Sequence, residues 1–318
     1  MACKLTTLVL AVAAAGMPAS AAEGPPAWAY PVNPPGITPP PDDGSQRQVP
    51  GSPRTFTLTQ IRDLFKVPDW HPDGHPPMPG IVDHGSKPGV FACGYCHLPN
   101  GLGRPENSSL AGLPASYIVQ QVRDFKSGVR KSSEPASLPI NLMTAVAKSV
   151  DEADLMVAAE YFAALKPQPW IRVIEAETVP KTRVGGWMLI EAEGGGTEAI
   201  GNRIIEMPEN LERTELRDAS SGFIAYVPAG SVGKGRLLAG GGAGKTIACA
   251  ACHGAGLKGL GPVPALAGRS PSYLMRQLYD IKHGTRNGEW AALMKPVVEP
   301  MSEEDMVAIA AYAASLTP

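Results

Sequence analysis

Two copies of one five-residue pattern constrain what this chain can fold into. Residues 93–97 read Cys-Gly-Tyr-Cys-His, and residues 249–253 read Cys-Ala-Ala-Cys-His. In each copy two thiols can form thioethers with the two vinyl groups of one haem, and the His that follows can bind the haem iron. The pattern therefore predicts two covalently bound haem c groups. The predicted attachment residues are Cys93, Cys96, Cys249 and Cys252, and the predicted iron ligands are His97 and His253.

The similarity of the two copies extends well beyond the pattern. At an offset of 156 residues, the separation of His97 from His253, identical residues recur without a gap. The matched pairs include Tyr117 with Tyr273, Gln121 with Gln277, Gly128 with Gly284 and Arg130 with Arg286. Further on, at an offset of 151, Leu142-Met143 matches Leu293-Met294. Solenoid repeats are only roughly 20–50 residues long, so this repeat indicates duplication of a whole haem-binding unit.

The length of 318 residues suggests about two domains. The predicted fold class is mainly α, with two helical haem domains. Between them, short apolar runs alternate with turn signals such as Gly194-Gly195-Gly196, which indicates strands. The predicted segments are a signal peptide at 1–22, a proline-rich arm at 23–55, a first haem unit at 56–166, a β-rich insertion or linker at 167–230 and a second haem unit at 231–318.

The first 22 residues have the pattern of a secretory signal peptide. Lys4 is followed by an apolar run from Leu5 to Ala15 and by the small residues Ala19-Ser20-Ala21. An uncleaved membrane anchor is the alternative, but the run is shorter than the roughly 20 residues that a spanning helix needs. The sequence therefore predicts export to the periplasm and no membrane-spanning segment after removal of the signal. The net charge of -2 suggests no nucleic-acid partner.

The cysteine count supports the haem interpretation. Signal cleavage removes Cys3, and the remaining four cysteines are those of the two patterns, so none is left for a disulfide. A zinc site or a redox dithiol is the alternative for a Cys-x-x-Cys pair. A His follows directly in both copies, and no further thiols exist to complete a zinc site.

Local signals predict several helix ends. Thr57 and Gln60 form a capping-box pattern for a helix that would continue to Pro68. A second helix is predicted from Ala115 to Lys126. In the second unit, Ser270-Pro271 is an N-cap with proline at the first helical position. The closing helices are predicted to begin at residues 151 and 302.

Two other patterns favour ordinary structural roles. His71, His75 and Met78 lie in a proline-rich stretch near the first haem pattern. A metal site is possible there, but a packed loop is the preferred interpretation. Residues 239–246 match a loose phosphate-loop pattern, which requires an uninterrupted helix after it. Cys249 follows too closely for that, so a connecting loop is predicted.

With these residues in place, the chain resembles class I c-type cytochromes in the di-haem arrangement of bacterial periplasmic electron carriers. The resemblance covers residues of about 90–165 and 231–318. It implies a class I cytochrome c-like fold for each unit. It also implies that His253 is the proximal ligand, Met294 the distal ligand and Pro264 the source of the carbonyl that orients the His ring. In the first unit the ligands would be His97 and Met143.

The first unit departs from the family at Ser108, where the family proline is missing but a backbone carbonyl is still available. The distal assignments have competitors, because methionine is a common packing residue. Only Met143 and Met294 coincide in the repeat. The competitors are Met156, Met301, Met306 and His283.

An iron with His and Met on its two axial sides has no vacant position for a substrate. The predicted function is therefore electron transfer between redox proteins, such as a dehydrogenase, a quinol-oxidising complex or a terminal oxidase. Three alternatives stay open: a di-haem peroxidase, another di-haem oxidoreductase, and the electron-accepting subunit of a periplasmic dehydrogenase. Sulfur-oxidising di-haem cytochromes use a Cys ligand in known cases, for which this chain has no spare residue.

Overall fold

The computed structural model describes residues 24–318, and the predicted signal peptide lies outside the described residues. The part that is described is rich in helix and contains three small sheets. Within it, no helix combines the length and the apolar character that crossing a membrane requires.

The helices of the first haem unit precede the strands. They are α1 (Leu58–Ile61), α2 (Gly80–Asp83), α3 (Cys93–His97), α4 (Ala115–Ser127), α5 (Leu138–Ser149) and α6 (Glu152–Ala164), with a 3-10 turn at Pro72–Gly74. Helix α4 ends at Gly128, whose φ of 78° lies in the left-handed region that glycine adopts without steric cost. Helix α6 is capped by Asp151, which accepts a hydrogen bond from the Asp154 amide at 2.8 Å.

The predicted helix from residue 57 towards Pro68 is wrong in its length. The capping box of Thr57 and Gln60 is present, but α1 ends at Ile61. Beyond it the backbone turns to reach other segments: the Leu64 carbonyl accepts from the Ala92 amide at 2.9 Å, and the Val67 amide donates to Asp83 at 2.9 Å. These long-range hydrogen bonds replace the helical ones, because each backbone group can satisfy its bonding in either way.

The strands lie between residues 171 and 228. They are β1 (Ile171–Ala176), β2 (Thr178–Pro180), β3 (Thr182–Gly185), β4 (Met188–Glu191), β5 (Thr197–Ala199), β6 (Ile205–Pro208) and β7 (Phe223–Pro228), with α7 (Leu211–Glu215) between the last two. One sheet has the order β1-β7-β6, in which β1 and β7 are parallel and β6 and β7 antiparallel. The antiparallel pairs β2-β5 and β3-β4 form the other two sheets.

The helices of the second haem unit follow β7. They are α8 (Ser231–Gly241), α9 (Ala250–His253), α10 (Pro271–Lys282), α11 (Glu289–Val298) and α12 (Glu303–Ser315), with 3-10 turns at Gly242–Gly244 and Ala255–Leu257. Ser270 caps α10 by accepting from the Tyr273 amide at 3.1 Å, with Pro271 at the first turn. Ser302 and Asp305 form a complete capping box at the start of α12.

Two large apolar cores dominate the described chain. One surrounds α4 and α6, and the other surrounds α8, α10 and α12. Strand β7 contributes to both, because Phe223 lies in the first core and Val227 in the second. The proline-rich segment also reaches the second core: Ala29 and Tyr30 are buried there, and the Tyr30 hydroxyl donates to the Asp280 carboxylate at 2.7 Å.

Candidate haem sites

The two pattern histidines have the same local geometry. His97 closes α3 and His253 closes α9. The Nδ1 atom of His97 is 2.8 Å from the Ser108 carbonyl oxygen, and that of His253 is 2.8 Å from the Pro264 carbonyl oxygen. The expected orienting carbonyl is therefore present in both units, and the proline missing at Ser108 does not remove it.

These hydrogen bonds determine which ring nitrogen is free. A carbonyl oxygen only accepts, so Nδ1 of each ring carries the proton and Nε2 keeps its lone pair. Burial lowers the pKa of His97 and of His253, which favours the neutral imidazole. A neutral imidazole with a free Nε2 is the form that binds a metal.

One continuous cavity of about 340 Å³ brings the predicted site residues of both units together. This volume falls within the roughly 300–1,000 Å³ of pockets that take an organic ligand. The cavity walls include every predicted attachment residue and ligand, namely Cys93, Cys96, His97, Met143, Cys249, Cys252, His253 and Met294.

The structure separates most of the competing ligands from this cavity. Met143 lies on α5 and Met294 on α11, both on the cavity wall. Met156 is 41% exposed, and His283 is an exposed side chain stacked on the Tyr279 ring at 4.1 Å. Met301 also lines the cavity, so it stays a competitor in the second unit.

The buried thiols do not have the character of a redox dithiol. Burial raises the pKa of Cys93 to about 12 and that of Cys249 to about 11. Reactive dithiols instead have pKa values lowered to about 3.5–7.5. For the zinc alternative, no three His, Cys, Asp or Glu side chains among residues 24–318 are close enough together to hold a metal ion.

The residues of the proline-rich stretch after α1 take part in packing contacts. His71 Nε2 is 2.9 Å from the Asp218 carboxylate, and His75 Nε2 is 3.2 Å from the Asp69 carboxylate. Met78 packs against the apolar cluster of the first unit. This agrees with the packed loop that the sequence favours.

The loose phosphate-loop pattern likewise lies in contacts within the second unit. Lys245 forms an ion pair with Asp305, and the Thr246 hydroxyl donates to the Val297 carbonyl at 2.5 Å. These contacts connect the loop after α8 to α11 and α12.

A side chain from the strand region packs on the first haem pattern. Arg217 donates from Nη1 to the Tyr95 carbonyl at 2.8 Å, and its guanidinium carbon is 3.7 Å from the centre of the Tyr95 ring. The position matching Tyr95 in the second unit is Ala251. Correspondingly, Cys252 is exposed whereas Cys96 is half-buried. The sequence shows the difference between Tyr95 and Ala251 but not the residue that packs on Tyr95, because Arg217 lies outside the repeat.

Between the two units, three buried or half-buried arginine side chains line the same cavity, and their function was not foreseen from the sequence. Arg130 and Arg286 pair through an antiparallel backbone bridge. Arg269 of the second unit donates to the Ser109 carbonyl of the first at 2.6 Å. Burial lowers the pKa of Arg269 to about 10, which still leaves it charged at neutral pH. The only available signal was the recurrence of Arg130 as Arg286 in the repeat.

The cavity fits a haem in each unit on three observations. Its walls are largely apolar, and they carry two thiols and a neutral His from each unit. Its polar boundary presents guanidinium groups, which suit carboxylates. The Arg286 Nε atom is buried and has no hydrogen-bond partner within the described chain. Cys93, Cys96 and His97 would hold one group, and Cys249, Cys252 and His253 the other.

Comparison with known proteins gives one family match and three similar relatives. The sequence pattern of the cytochrome c family matches residues 242–317. Over 68 residues, 21% of this chain, the sequence is 44% identical to cytochrome c-554(548) of Halomonas halodenitrificans and covers 82% of that protein. Over 233 residues, 72% of this chain, it is 28% identical to the thiosulfate dehydrogenase electron acceptor of Thiomonas intermedia and covers 81% of it. Over 225 residues, 69% of this chain, it is 25% identical to cytochrome c4 of Azotobacter vinelandii and covers 82% of it.

Proposed function

The chain belongs to the cytochrome c family and carries two covalently bound haem c groups, and we propose that it is a periplasmic electron carrier with two His/Met-ligated haems. The proposed axial pairs are His97 with Met143 and His253 with Met294. The attachment residues are Cys93, Cys96, Cys249 and Cys252. Export through the signal peptide at 1–22 places the protein where haem c is usually attached.

One observation supports this function above the others. In both units a neutral His with a free Nε2 and a Met at the matching repeat position line the same apolar cavity. Haem supplies a one-electron couple between ferrous and ferric iron when it is bound. With both axial positions filled by the protein, the site has no coordination position for a substrate, and transfer of electrons is what remains.

The surrounding residues serve electron transfer by keeping the iron ligands in fixed positions. The carbonyls of Ser108 and Pro264 hold the two imidazole rings in one orientation and one tautomer. Phe162 packs edge-on to the His97 ring, with the ring centres 6.0 Å apart. Fixed ligands keep the site from rearranging when its charge changes by one.

We propose a dehydrogenase as the electron donor. Relatives named thiosulfate dehydrogenase electron acceptors match most of this chain over most of their own length, which supports a partner of this kind. A chain of this kind would accept electrons from the dehydrogenase and pass them to a second redox protein.

The axial ligands are tested by three substitutions, Met143→Ala, Met294→Ala and, as the matched control, Met301→Ala. A Met sulfur on ferric haem has a charge-transfer absorption band. We expect Met143→Ala and Met294→Ala each to remove about half of this band and to open one haem to carbon monoxide, whereas Met301→Ala leaves the band whole. Loss of about half of the band in Met301→Ala, with the whole band kept in Met294→Ala, would reassign the second ligand.

Carbon monoxide binding to the unmodified protein tests the carrier function itself. Because both axial positions are filled in the proposal, the half-reduced protein is expected not to bind it. Rapid binding at one haem, together with saturable reoxidation by hydrogen peroxide, would instead favour the di-haem peroxidase.

A further inference from the structure

We propose that redox partners exchange electrons with this protein at the second haem unit alone, and that Arg217 and the strand region around it close the first haem unit to them. The strand region is residues 171–228. The partner that fits the second unit is a redox protein with an apolar contact surface and carboxylates at its edge. The proposal rests on the proposed function for electron transfer, and it adds the place where electrons enter and leave.

The shared cavity meets solvent in the second unit. Three of the residues that line it are exposed, namely Ile247, Cys252 and Leu293. Leu293 is 75% exposed and Ile247 is 49% exposed. All three belong to the second unit, whereas every cavity residue of the first unit is buried or half-buried. A side chain that lines a cavity and also meets solvent stands at its mouth, so the mouth lies in the second unit.

The repeat provides a matched comparison for the two apolar residues of this mouth. Ile247 matches Phe91 at the offset of 156, and Leu293 matches Leu142 at the offset of 151. Both residues of the first unit line the cavity as well, but they are half-buried. Phe91 packs edge-on to the Phe65 ring, with the ring centres 5.2 Å apart. The same positions are therefore covered in the first unit and open in the second.

A buried charge replaces an exposed apolar side chain at one further position. Leu260 is 61% exposed, whereas the matching Arg104 is 6% exposed. Arg104 Nη1 donates to the Thr214 carbonyl at 3.3 Å, and Arg104 Nη2 lies 3.7 Å from the Met188 sulfur. Thr214 and Met188 both belong to the strand region. Arg104 thus attaches the loop after the first haem pattern to that region.

Two more hydrogen bonds attach the strand region to the first haem pattern and its loop. Arg217 donates to the Tyr95 carbonyl at 2.8 Å and lies on the Tyr95 ring. The Asn100 amide donates from Nδ2 to the Ala219 carbonyl at 2.7 Å. In the described chain, no hydrogen bond joins residues 171–228 to residues 245–265 around the second pattern. The two sites share their internal geometry and differ in their access from solvent.

The chemistry around the mouth indicates the partner. Exposed apolar side chains grouped at one place are typical of an interaction surface. Residues 245–265 contain two lysines and no Asp or Glu. Lys295, two residues after Leu293, is exposed, and its ammonium group donates to the Lys282 carbonyl rather than to a carboxylate. A protein surface with an apolar centre and carboxylates at its rim complements this mouth in both respects.

A single mouth orders the flow of electrons. An electron given up by the donor reduces iron in the second unit from ferric to ferrous, and its passage to the first unit restores ferric iron in the second. Donor and acceptor must then use the same surface in turn. The first unit stores one electron behind the point of exchange.

The closure of the first unit is tested by nuclear magnetic resonance of the oxidised two-haem protein with a soluble gadolinium chelate. The chelate broadens the haem-methyl signals that it can approach. We expect it to broaden only the set of signals that changes in Met294→Ala, and to leave sharp the set that changes in Met143→Ala. Arg217→Ala is expected to extend the broadening to both sets, because it uncovers the Tyr95 ring. The matched control is Arg172→Ala, where an exposed arginine of β1 pairs with Glu209, and it should leave the first set sharp.

The docking surface is tested by stopped-flow reduction of the oxidised protein with reduced flavodoxin, a small acidic protein that donates single electrons. Ile247→Asp and Leu293→Asp should each lower the bimolecular rate constant about tenfold, because an added carboxylate repels an acidic partner and removes an apolar contact. The matched control is Leu237→Asp on α8, which is 63% exposed and lies outside the cavity wall. It should change the rate constant less than about twofold. The charge-transfer band of each variant shows whether both irons keep their ligands.

Equal broadening of both sets of signals in the unmodified protein would overturn the proposal, and this result needs no variant. Rate constants that Ile247→Asp and Leu293→Asp change no more than Leu237→Asp would also overturn it. A first set that stays sharp in Arg217→Ala would refute the part assigned to Arg217. If that variant does not retain two haems, Arg217→Lys is compared, because lysine keeps the charge but loses the planar group that stacks on the ring.

These failures differ from failure of the proposed function. In each of them the charge-transfer band would be present and the protein would still accept electrons from flavodoxin. A protein without His/Met ligation would lack the band before any surface residue is changed.

Discussion

Substitution of Gly235 by alanine is expected to destabilise the second haem unit through the contact between α8 and α12. Gly235 is buried in α8, and a Cβ atom placed on it would lie 2.6 Å from the Ala308 carbonyl carbon and 2.7 Å from the Tyr312 Cβ atom. Real Cβ atoms essentially never come closer than 3.0 Å to such atoms. The obstructing atoms belong to backbone and to a side-chain root, so the two helices themselves must separate.

The size of the effect can be estimated from two opposing contributions. Overpacking of this kind costs about 1–3 kcal/mol. Replacing a helical glycine with alanine returns about 1 kcal/mol through its better helix propensity. The net loss in the free energy of unfolding is therefore about 0–2 kcal/mol, and we expect a value towards the upper end because backbone atoms obstruct the Cβ position.

Gly233→Ala is the matched control, because Gly233 lies on the exposed face of α8 with nothing within 4 Å of its Cβ position. It should gain about 0.5–1 kcal/mol from helix propensity alone. The same chemical change, two residues apart on one helix, is thus expected to have opposite signs. Guanidinium unfolding followed by far-ultraviolet circular dichroism measures both. Equal stability of the two variants would refute the close packing of α8 on α12.

The remaining predictions concern a buried carboxyl group and the haem attachment. Glu206 is 2% exposed, and burial raises its pKa. Because the pKa of Glu206 is higher in the folded than in the unfolded protein, protonation of Glu206 stabilises the fold. This stabilisation is complete below the ordinary pKa of 4.5 and is lost as the pH rises through the pKa of the folded protein. Glu206→Gln should therefore gain stability relative to the unmodified protein as the pH rises, which unfolding at several pH values measures; parallel pH profiles would contradict this. Cys93→Ala and Cys249→Ala should each disrupt covalent attachment at one haem only, and acid extraction of the denatured chain followed by mass spectrometry would show whether more than one haem is released.

The local features of this protein could be predicted from its sequence alone. The haem-binding pattern is contained in five consecutive residues. The helix caps are local as well, because the Ser302 and Ser270 hydroxyls each accept a hydrogen bond from the backbone amide three residues further along the chain. The repeat added a comparison within the chain. It singled out Met143 and Met294 from the other methionines, and the structure places both on the cavity wall.

Tertiary structure decided the features that join distant segments. The early end of α1 depends on hydrogen bonds to residues 83 and 92, which no local pattern of the helix contains. The contact of Arg217 with Tyr95 joins residues separated by 122 positions. Likewise, the repeat shows that Arg130 and Arg286 are equivalent but not that each donates to the other unit. A side chain's local sequence determines its conformational preferences, whereas its partner, its burial and its effect on a neighbouring charge depend on how the whole chain packs.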